Sequence, residues 1–387
     1  MPSSGIKPGL LRKMTVRRVL ECLQEHGPLS RADLTRETGI SAPTVSKAVV
    51  DLLDSGLLEE GMAPDHALGR PGKKLQLAQD TAQVIGIVLD VRECRVLSAS
   101  LDGVIKENTV VAFETSDEYS LLIEQLTAAV TSLQSSEVVT LGIGVSTPGL
   151  IDEQNQRSLF SPNLQAINQR SPSADLTSAT GLAVVSVQES RALCLAERLY
   201  GNARGLDDFA MLDVTSGLGL GVFSGGTLLS GQNGLAGELG HVTIDPNGRL
   251  CGCGNQGCLE TLATDTALAS LVSESAERQL SIEQVISEVH AGSLRIDNEL
   301  ERVSEYLSLA LAAAINLFNP SNLFVHGRFL TLNRGILNDI VERTRSRALD
   351  PSFEECDIQI AHSSKDQGAI ASIVHHLTRS AGPRVAE

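Results

Sequence analysis

A chain of 387 residues, 42 % apolar and 20 % charged, can bury two or three globular cores and is neither disordered nor fibrous in composition. The absence of tryptophan argues against an aromatic sugar platform or base-stacking surface; the apolar run Leu309–Ile315 is far short of a membrane span, and no signal-peptide core opens the chain, so a cytoplasmic protein with no membrane partner is expected. Of the net charge of −16, residues 1–77 contribute +2, which leaves −18 on a body that repels nucleic acid and confines any DNA contact to the N-terminal segment.

Val16, Val19, Leu20 and Leu23 make the apolar stripe of a short amphipathic helix that His26-Gly27-Pro28 ends. In "SRADLTRETGISAPTVSKAVVDLLDSGLL", Ser30 caps a second helix with Asp33 three residues on, and Gly39 suits its left-handed stop. Ser41 caps a third, with Pro43 tolerated in its first turn. Val45, Val49, Leu52 and Leu53 form its buried face, and Ser41, Thr44, Ser46 and Lys47 face outward. Two helices around a Gly-containing turn are a helix-turn-helix, and those four side chains suit base edges or phosphates in a major groove. "GLLEEG" and "KKLQLA" read as wing strands around the tip "PDHALGRPGKK", where Arg70 suits a minor groove and Lys73 and Lys74 suit phosphates. A winged helix-turn-helix for double-stranded DNA is therefore expected over residues 1–80. The plainer alternative is a three-helix interaction domain whose polar face is merely solvated.

From Val84 the pattern changes to β-branched runs. "VIGIVLDV", "RVLSASL" and "VIKENTVVAF" are strands, the last two joined by a hairpin at Asp102-Gly103. A helix carrying Leu121, Leu122, Leu126, Val130 and Leu133 follows, then the buried strand "VVTLGIGVS". "LAVVSV" leads into the helix "ESRALCLAERLY", and "FAMLDVTSGLGLGVFSGG" opens a second β-rich unit. The recurrence suggests a duplicated α/β body over residues 81–387 with a cleft between two lobes, about 81–190 plus a C-terminal helix, and 191–365.

Seven cysteines is an odd number, and in a reducing compartment clustered thiols hold metal more often than they form disulfides. His241, Cys251, Cys253 and Cys258 offer one imidazole and three thiolates, the number and softness of a closed tetrahedral zinc site. Four protein ligands leave no place for a reacting water, so the expected zinc is structural. Glycines 252, 254 and 257 are expected to let the backbone fold tightly enough. The alternative, free cysteines in a turn, leaves oxidisable thiols.

"STPGLID" (Ser146 to Asp152), "GLAGELGH" (Gly234 to His241) and "CGCGNQGCLE" (Cys251 to Glu260) resemble the ROK family of bacterial sugar-responsive repressors and sugar kinases, over most of residues 82–375. The resemblance implies an actin-like, ribonuclease-H-type body in two lobes. It also implies that Asn163, Glu238, His241 and Glu260 contact a sugar; composition alone would place both glutamates on the surface. A winged helix ahead of the body is the repressor branch's appendage.

The kinase branch opens with Gly-x-Asp-x-Gly-Gly-Thr, and the matching stretch here puts Val88 at the Asp and Asp90 and Val91 at the glycines. Asp90 would repel phosphate, and Val91 would block close backbone approach. "TSGLGLG" (Thr215 to Gly221) survives and could cradle phosphate, although close strand turns also use glycine. His326-Gly327-Arg328 replaces the adenosine-side glycines, and the catalytic Asn-Asp pair aligns with Gln188-Glu189. Gln188 and Glu189 thus remain as sugar-side candidates, with Glu189 a degenerate base position. Arg191 suits either a sugar phosphate or a surface ion pair.

The expectation is a non-enzymatic, sugar-responsive transcriptional regulator, most simply a repressor released from its operator by sugar. It would act as a homodimer or homotetramer on half-sites about 34 Å, or a multiple of this, apart. A ROK sugar kinase with a regulatory head, and a protein-binding regulator, are the alternatives.

Overall fold

The structure, a computed structural model, describes residues 8–61 and 73–380. The chain divides into two compact units, one ending at Gln188 and resuming at Lys365, the other Glu189–Ser364.

The first unit begins with helices α1 (Pro8–His26), α2 (Arg31–Thr38) and α3 (Ala42–Asp54). Val16, Val19, Leu20 and Leu23 of α1 are buried, as are Val45, Val49 and Leu52 of α3; Leu53 is only half-buried. Local chemistry sets the ends of α2. Asp33 N–H donates to Ser30 Oγ (3.2 Å) and Ser30 N–H to Asp33 Oδ2 (3.1 Å), a reciprocal cap. Gly39, at φ +68°, closes the helix by donating to the Thr35 carbonyl. Ser41 occupies the cap position of α3, but its hydroxyl pairs with Thr44 Oγ1 (2.9 Å) instead of a backbone amide. Strands β1 (Leu58–Gly61) and β2 (Lys74–Leu77) pair antiparallel, and Leu29 bridges to Leu75, completing a winged helix.

This head is fastened to the rest of its unit. Ala78 donates to the Leu57 carbonyl and accepts from Leu101 N–H. Glu59 Oε2 accepts from Asp80 N–H, Thr81 N–H and Thr81 Oγ1 (3.2, 3.2 and 3.0 Å), and Oε1 from Gln76 Nε2 (2.9 Å). On α1, Gln24 Nε2 donates to Thr378 Oγ1 (3.0 Å) on the C-terminal helix Lys365–Ser380.

After the wing, β3 (Ala82–Val88), β4 (Glu93–Ala99), β5 (Ile105–Glu114), α4 (Tyr119–Leu133) and β6 (Val139–Thr147) precede the small pair β7 (Leu150–Asp152) and β8 (Arg157–Phe160). Then come α5 (Pro172–Thr180) and β9 (Val184–Gln188). The five-stranded sheet has the order β5-β4-β3-β6-β9, antiparallel through β3 and parallel after it. Leu122, Leu126 and Val130 of α4 enter one core with Ile85, Val96 and Ile143. Leu121 does not join them and is 42 % exposed, because the helix turns it to the polar side. The C-terminal helix lies against this sheet, where the bare α-carbon of Gly144 admits the Ala369 carbonyl.

The second unit holds α6 (Glu189–Tyr200), β10 (Phe209–Asp213), β11 (Gly219–Ser224), β12 (Thr227–Leu228), α7 (Asp265–Ser275), α8 (Ile282–His290) and α9 (Asp297–Phe318). After these come β13 (Asn322–His326), α10 (Ile336–Arg345), α11 (Asp350–Glu354) and β14 (Asp357–Ile360). Its sheet, β12-β11-β10-β13-β14, repeats the order and sense of the first. Leu212, Val325, Leu307 and Leu311 lie in its core. Glu197 of α6 is fully buried and tolerated there because Asn202 N–H (2.8 Å), Ser363 N–H (2.8 Å) and His362 N–H (3.1 Å) all donate to it.

Candidate metal centre and ligand-binding residues

After β12 the chain of the second unit runs through a glycine-rich loop into Glu238 and a single turn, Leu239–His241. It then doubles back on itself. Ile244 and Asp245 donate to the Gly257 carbonyl, Gly257 to Arg249, and Leu259 to Val242, so residues 242–258 form a folded-over strap that returns Cys258 beside His241. Gly254 and Gly257 have φ of +91° and +69°, and a side chain at 257 would run into the Asp245 carbonyl. Gly252 has no positive φ, so the left-handed turns of the strap fall at Gly254 and Gly257.

The strap gathers four ligand atoms, from His241, Cys251, Cys253 and Cys258, all within 4.8 Å of one another. Cys253 Sγ and Cys258 Sγ are 3.8 Å apart, and Cys251 Sγ is 3.7 Å from His241 Nδ1. A tetrahedral zinc with sulfur at about 2.3 Å has edges of about 3.8 Å, so the donors fit. Burial, and then the hydrogen bond it donates to Glu260, push the Cys251 thiol up from its ordinary range. Three thiols beside a carboxylate are a concentration of latent negative charge that a dication would neutralise.

Two glutamates flank this set. Glu238 Oε2 lies 3.7 Å from His241 Nε2, the nitrogen turned away from the cysteines. Glu260 Oε1 lies 2.8 Å from Cys251 Sγ and 3.6 Å from His241 Nδ1. The structure thus brings together Glu238, His241 and Glu260 of the sugar candidates. Of the others, Asn163 is exposed in the turn after β8, Gln188 ends β9, and Glu189 opens α6, the last two half-buried.

Two glycines of the run at 215–221 serve packing, while a side chain at Gly217 would approach Glu260 Oε2. Side chains at Gly219 and Gly221 would collide with Ser190 and Cys194 of α6, so these glycines let the helix lie on β11. In the first unit, the Val91 amide is taken by Asp90 Oδ1 at 2.6 Å. In the second, His326 Nδ1 meets Asp213 Oδ1 at 2.9 Å, and Arg328 pairs with Glu283. Arg191 is 2 % exposed, so it does not lie at the surface, and it donates to Ser230 Oγ and the Gly234 carbonyl.

In the head, Ser41, Thr44 and Lys47 are exposed on α3 and Ser46 is half-buried. Lys73 forms an ion pair with Glu60 across the wing, and Arg70 lies outside the described residues. One contact had no sequence signal: Arg12 of α1 grips Asp51 of α3 through Nε (2.8 Å) and Nη2 (2.7 Å). With Thr44 and Lys47 these two residues line a cavity of about 430 Å³.

A winged helix ahead of a doubled sheet, carrying a strap of one histidine and three cysteines with glutamates at its rim, defines the class. The chain belongs to the ROK family, whose sequence profile matches residues 85–376, while a MarR family profile matches residues 13–67. It is 27 % identical over 377 residues to the xylose repressor of Bacillus subtilis, covering 95 % of this chain and 96 % of that one. The crystal structure of a ROK family transcriptional regulator, a homologue of the Escherichia coli Mlc protein, superposes with a TM-score of 0.81 at 25 % identity, covering 95 % of this chain and 97 % of that one. A ROK family glucokinase from Streptomyces griseus, solved with glucose and AMPPNP, shares the fold at a TM-score of 0.67 and 22 % identity, covering 75 % of this chain and 98 % of that one.

Proposed function

We propose that this chain is a sugar-responsive DNA-binding transcriptional regulator, a repressor that leaves its operator when sugar binds. The observation that carries the reading is the union, in one chain, of a fastened winged helix with a body that retains the thiol strap and its glutamates. Full-length similarity to a repressor supports it. In this reading residues 1–80 read DNA and residues 81–387 sense sugar. Ser41, Thr44, Ser46, Lys47, Arg70 and Lys73 meet bases and phosphates. Asn163, Gln188, Glu189, Glu238, His241 and Glu260 meet sugar hydroxyls.

His241, Cys251, Cys253 and Cys258 would hold a structural zinc, which supplies a rigid cross-link and no reacting water. A site of buried, fixed acceptors then rejects ligands lacking the matching hydroxyls. The protein is taken to be cytoplasmic and to act as a homodimer or homotetramer on a palindromic operator. Coupling between sugar and operator of about 1–3 kcal/mol would change operator affinity by about five- to 150-fold.

The second reading is a sugar kinase with a regulatory head, favoured by the carboxylate at Glu189 and by the fold shared with the glucokinase. Against it stand Asp90 and Val91 in the first turn, with the Val91 amide already bonded. One experiment separates the two: purified protein is mixed with DNA from its own promoter region, a panel of sugars, and ATP. Sugar-dependent release of DNA without ADP formation is the expected result. Sugar-dependent ADP release above background, or no DNA retention at all, would overturn the repressor reading.

A further inference from the structure

Arg191 stands in the first turn of α6, where a cation opposes the helix dipole, and it is almost fully buried. Burying a guanidinium there is costly, and both of its terminal nitrogens are put to use. Nη2 donates to Ser230 Oγ at 2.9 Å and Nη1 to the Gly234 carbonyl at 3.2 Å. Both acceptors lie in the loop that delivers Glu238.

That loop has little regular structure of its own. Gly231, Asn233, Gly234 and Gly237 have φ of +64°, +58°, +87° and +102°, a sequence of left-handed residues through which no ladder can run. Its backbone ties are a single 3-10 turn, Gln232–Gly234, closed by Leu235 N–H to the Gln232 carbonyl (3.3 Å), then Ala236 N–H to the Ser230 carbonyl and Leu220 N–H to the Gly237 carbonyl, both at 3.1 Å, and Leu239 N–H to the Gly237 carbonyl at 2.8 Å. Glu238 is the next residue, and His241 of the thiol set comes three positions later. Glu238 therefore sits between two fasteners, the guanidinium on its N-terminal side and the thiol strap on its C-terminal side.

We propose that Arg191 is a positioning residue for sugar binding: a buried clamp that fixes the Ser230–Gly237 loop so that Glu238 is presented in one orientation, independently of the metal-ligating strap. The proposal rests on the reading of Glu238 as a sugar ligand. Released from the clamp, a loop so rich in left-handed glycine samples many conformations. Sugar affinity falls with the fraction of molecules that present the carboxylate correctly.

The test uses full-length, zinc-loaded protein carrying Arg191→Lys, which keeps the buried charge but loses the fork, and Ser230→Ala, which removes one acceptor and buries no new charge. Zinc content, operator affinity without sugar, hydrogen exchange of amides 231–238, and calorimetric titration with xylose, glucose and N-acetylglucosamine are measured. Zinc content and sugar-free operator affinity stay at wild-type values. Exchange at 231–238 accelerates, and affinity for the sugar that wild type binds falls about tenfold in Arg191→Lys and less in Ser230→Ala. Wild-type exchange in both variants overturns the proposal, as does loss of zinc together with sugar. A Glu238→Ala control separates the two layers. If that variant binds sugar as wild type does, the sugar-ligand reading fails; if it loses binding while both clamp variants keep full affinity, the clamp fails.

Discussion

The two five-stranded sheets share strand order and sense, and the differences between them lie in what each scaffold carries. The first supports the winged head, tied on through Glu59 and Gln24, and is covered by the C-terminal helix. The second has residues 229–264 inserted between β12 and α7, and this insertion holds the thiols and both glutamates. Even the equivalent first turns diverge. Asp90 takes the amide of Val91 at 2.6 Å, while Asp213 takes the hydroxyl of Thr215 at 2.9 Å and the imidazole of His326. In both turns an acidic side chain satisfies the chain's own polar groups. A duplicated scaffold can thus divide its work, with one copy carrying the winged head and the other the thiol strap and its glutamates.

The largest expected effect breaks that division on the second side. Cys253→Ser leaves one imidazole and two thiols, too few for a closed site. Bound zinc should disappear on elemental analysis, thermal stability should fall by about 3 kcal/mol or more, and sugar binding should go with it. The head is built from other residues, so operator binding in the absence of sugar should persist. Retained zinc together with unaltered sugar affinity would show that the strap does not hold the glutamates.

Next in size comes a change confined to the first side. Lys47 is exposed on α3, and Asp51, one turn further on, is already gripped by Arg12. The alanine variant of Lys47 should weaken operator binding roughly equally across sequences. Plotted against salt, the logarithm of affinity should lose about one unit of slope, while sugar titrations stay unchanged. An unchanged slope would place Lys47 off the phosphate path.

Much of this architecture was legible because its determinants are local. Ser30, Asp33 and Gly39 fix the ends of α2 within one turn, and the stretch "ESRALCLAERLY" coincides with α6 from Glu189 to Tyr200. The set of one histidine and three cysteines was readable because its ligands fall within eighteen residues of sequence. What escaped was long-range. Nothing near Arg12 announces Asp51, nothing near Arg191 announces Ser230, and the fully buried Glu197 is matched by amides at 362 and 363. Arg191 and Glu197 read as surface in one dimension, because their partners arrive only when distant segments meet, whereas Arg12 stays exposed and only its partner is unforeseen. The glycine run at 215–221 is read two ways in one dimension, as a phosphate cradle or as a close strand turn, and at Gly219 and Gly221 the structure adds a close helix contact that the pattern alone does not announce.

The smallest expected effect tests whether the head is an integral part of its unit. Partial burial works to raise the Glu59 carboxyl, but hydrogen bonds from Gln76, Asp80, Gln79 and Thr81 outweigh it and hold the group below the usual glutamate range. A carboxyl whose folded value is depressed adds stability that is fully present above the unfolded value, about 4.3, and is lost as pH falls through the folded value. Glu59→Gln keeps the shape but removes the charge that three donors at Oε2 and its neighbours favour. The cost at neutral pH should be no more than about 1 kcal/mol, since the side chain is only partly buried and solvent screens it. The gap in melting temperature between wild type and variant should therefore narrow as the pH is taken from 7 to below 4. In hydrogen exchange, the amides of Asp80 and Thr81 should be the ones that loosen. A gap that stays constant across that range would mean that the charge of Glu59 plays no part in fastening the head.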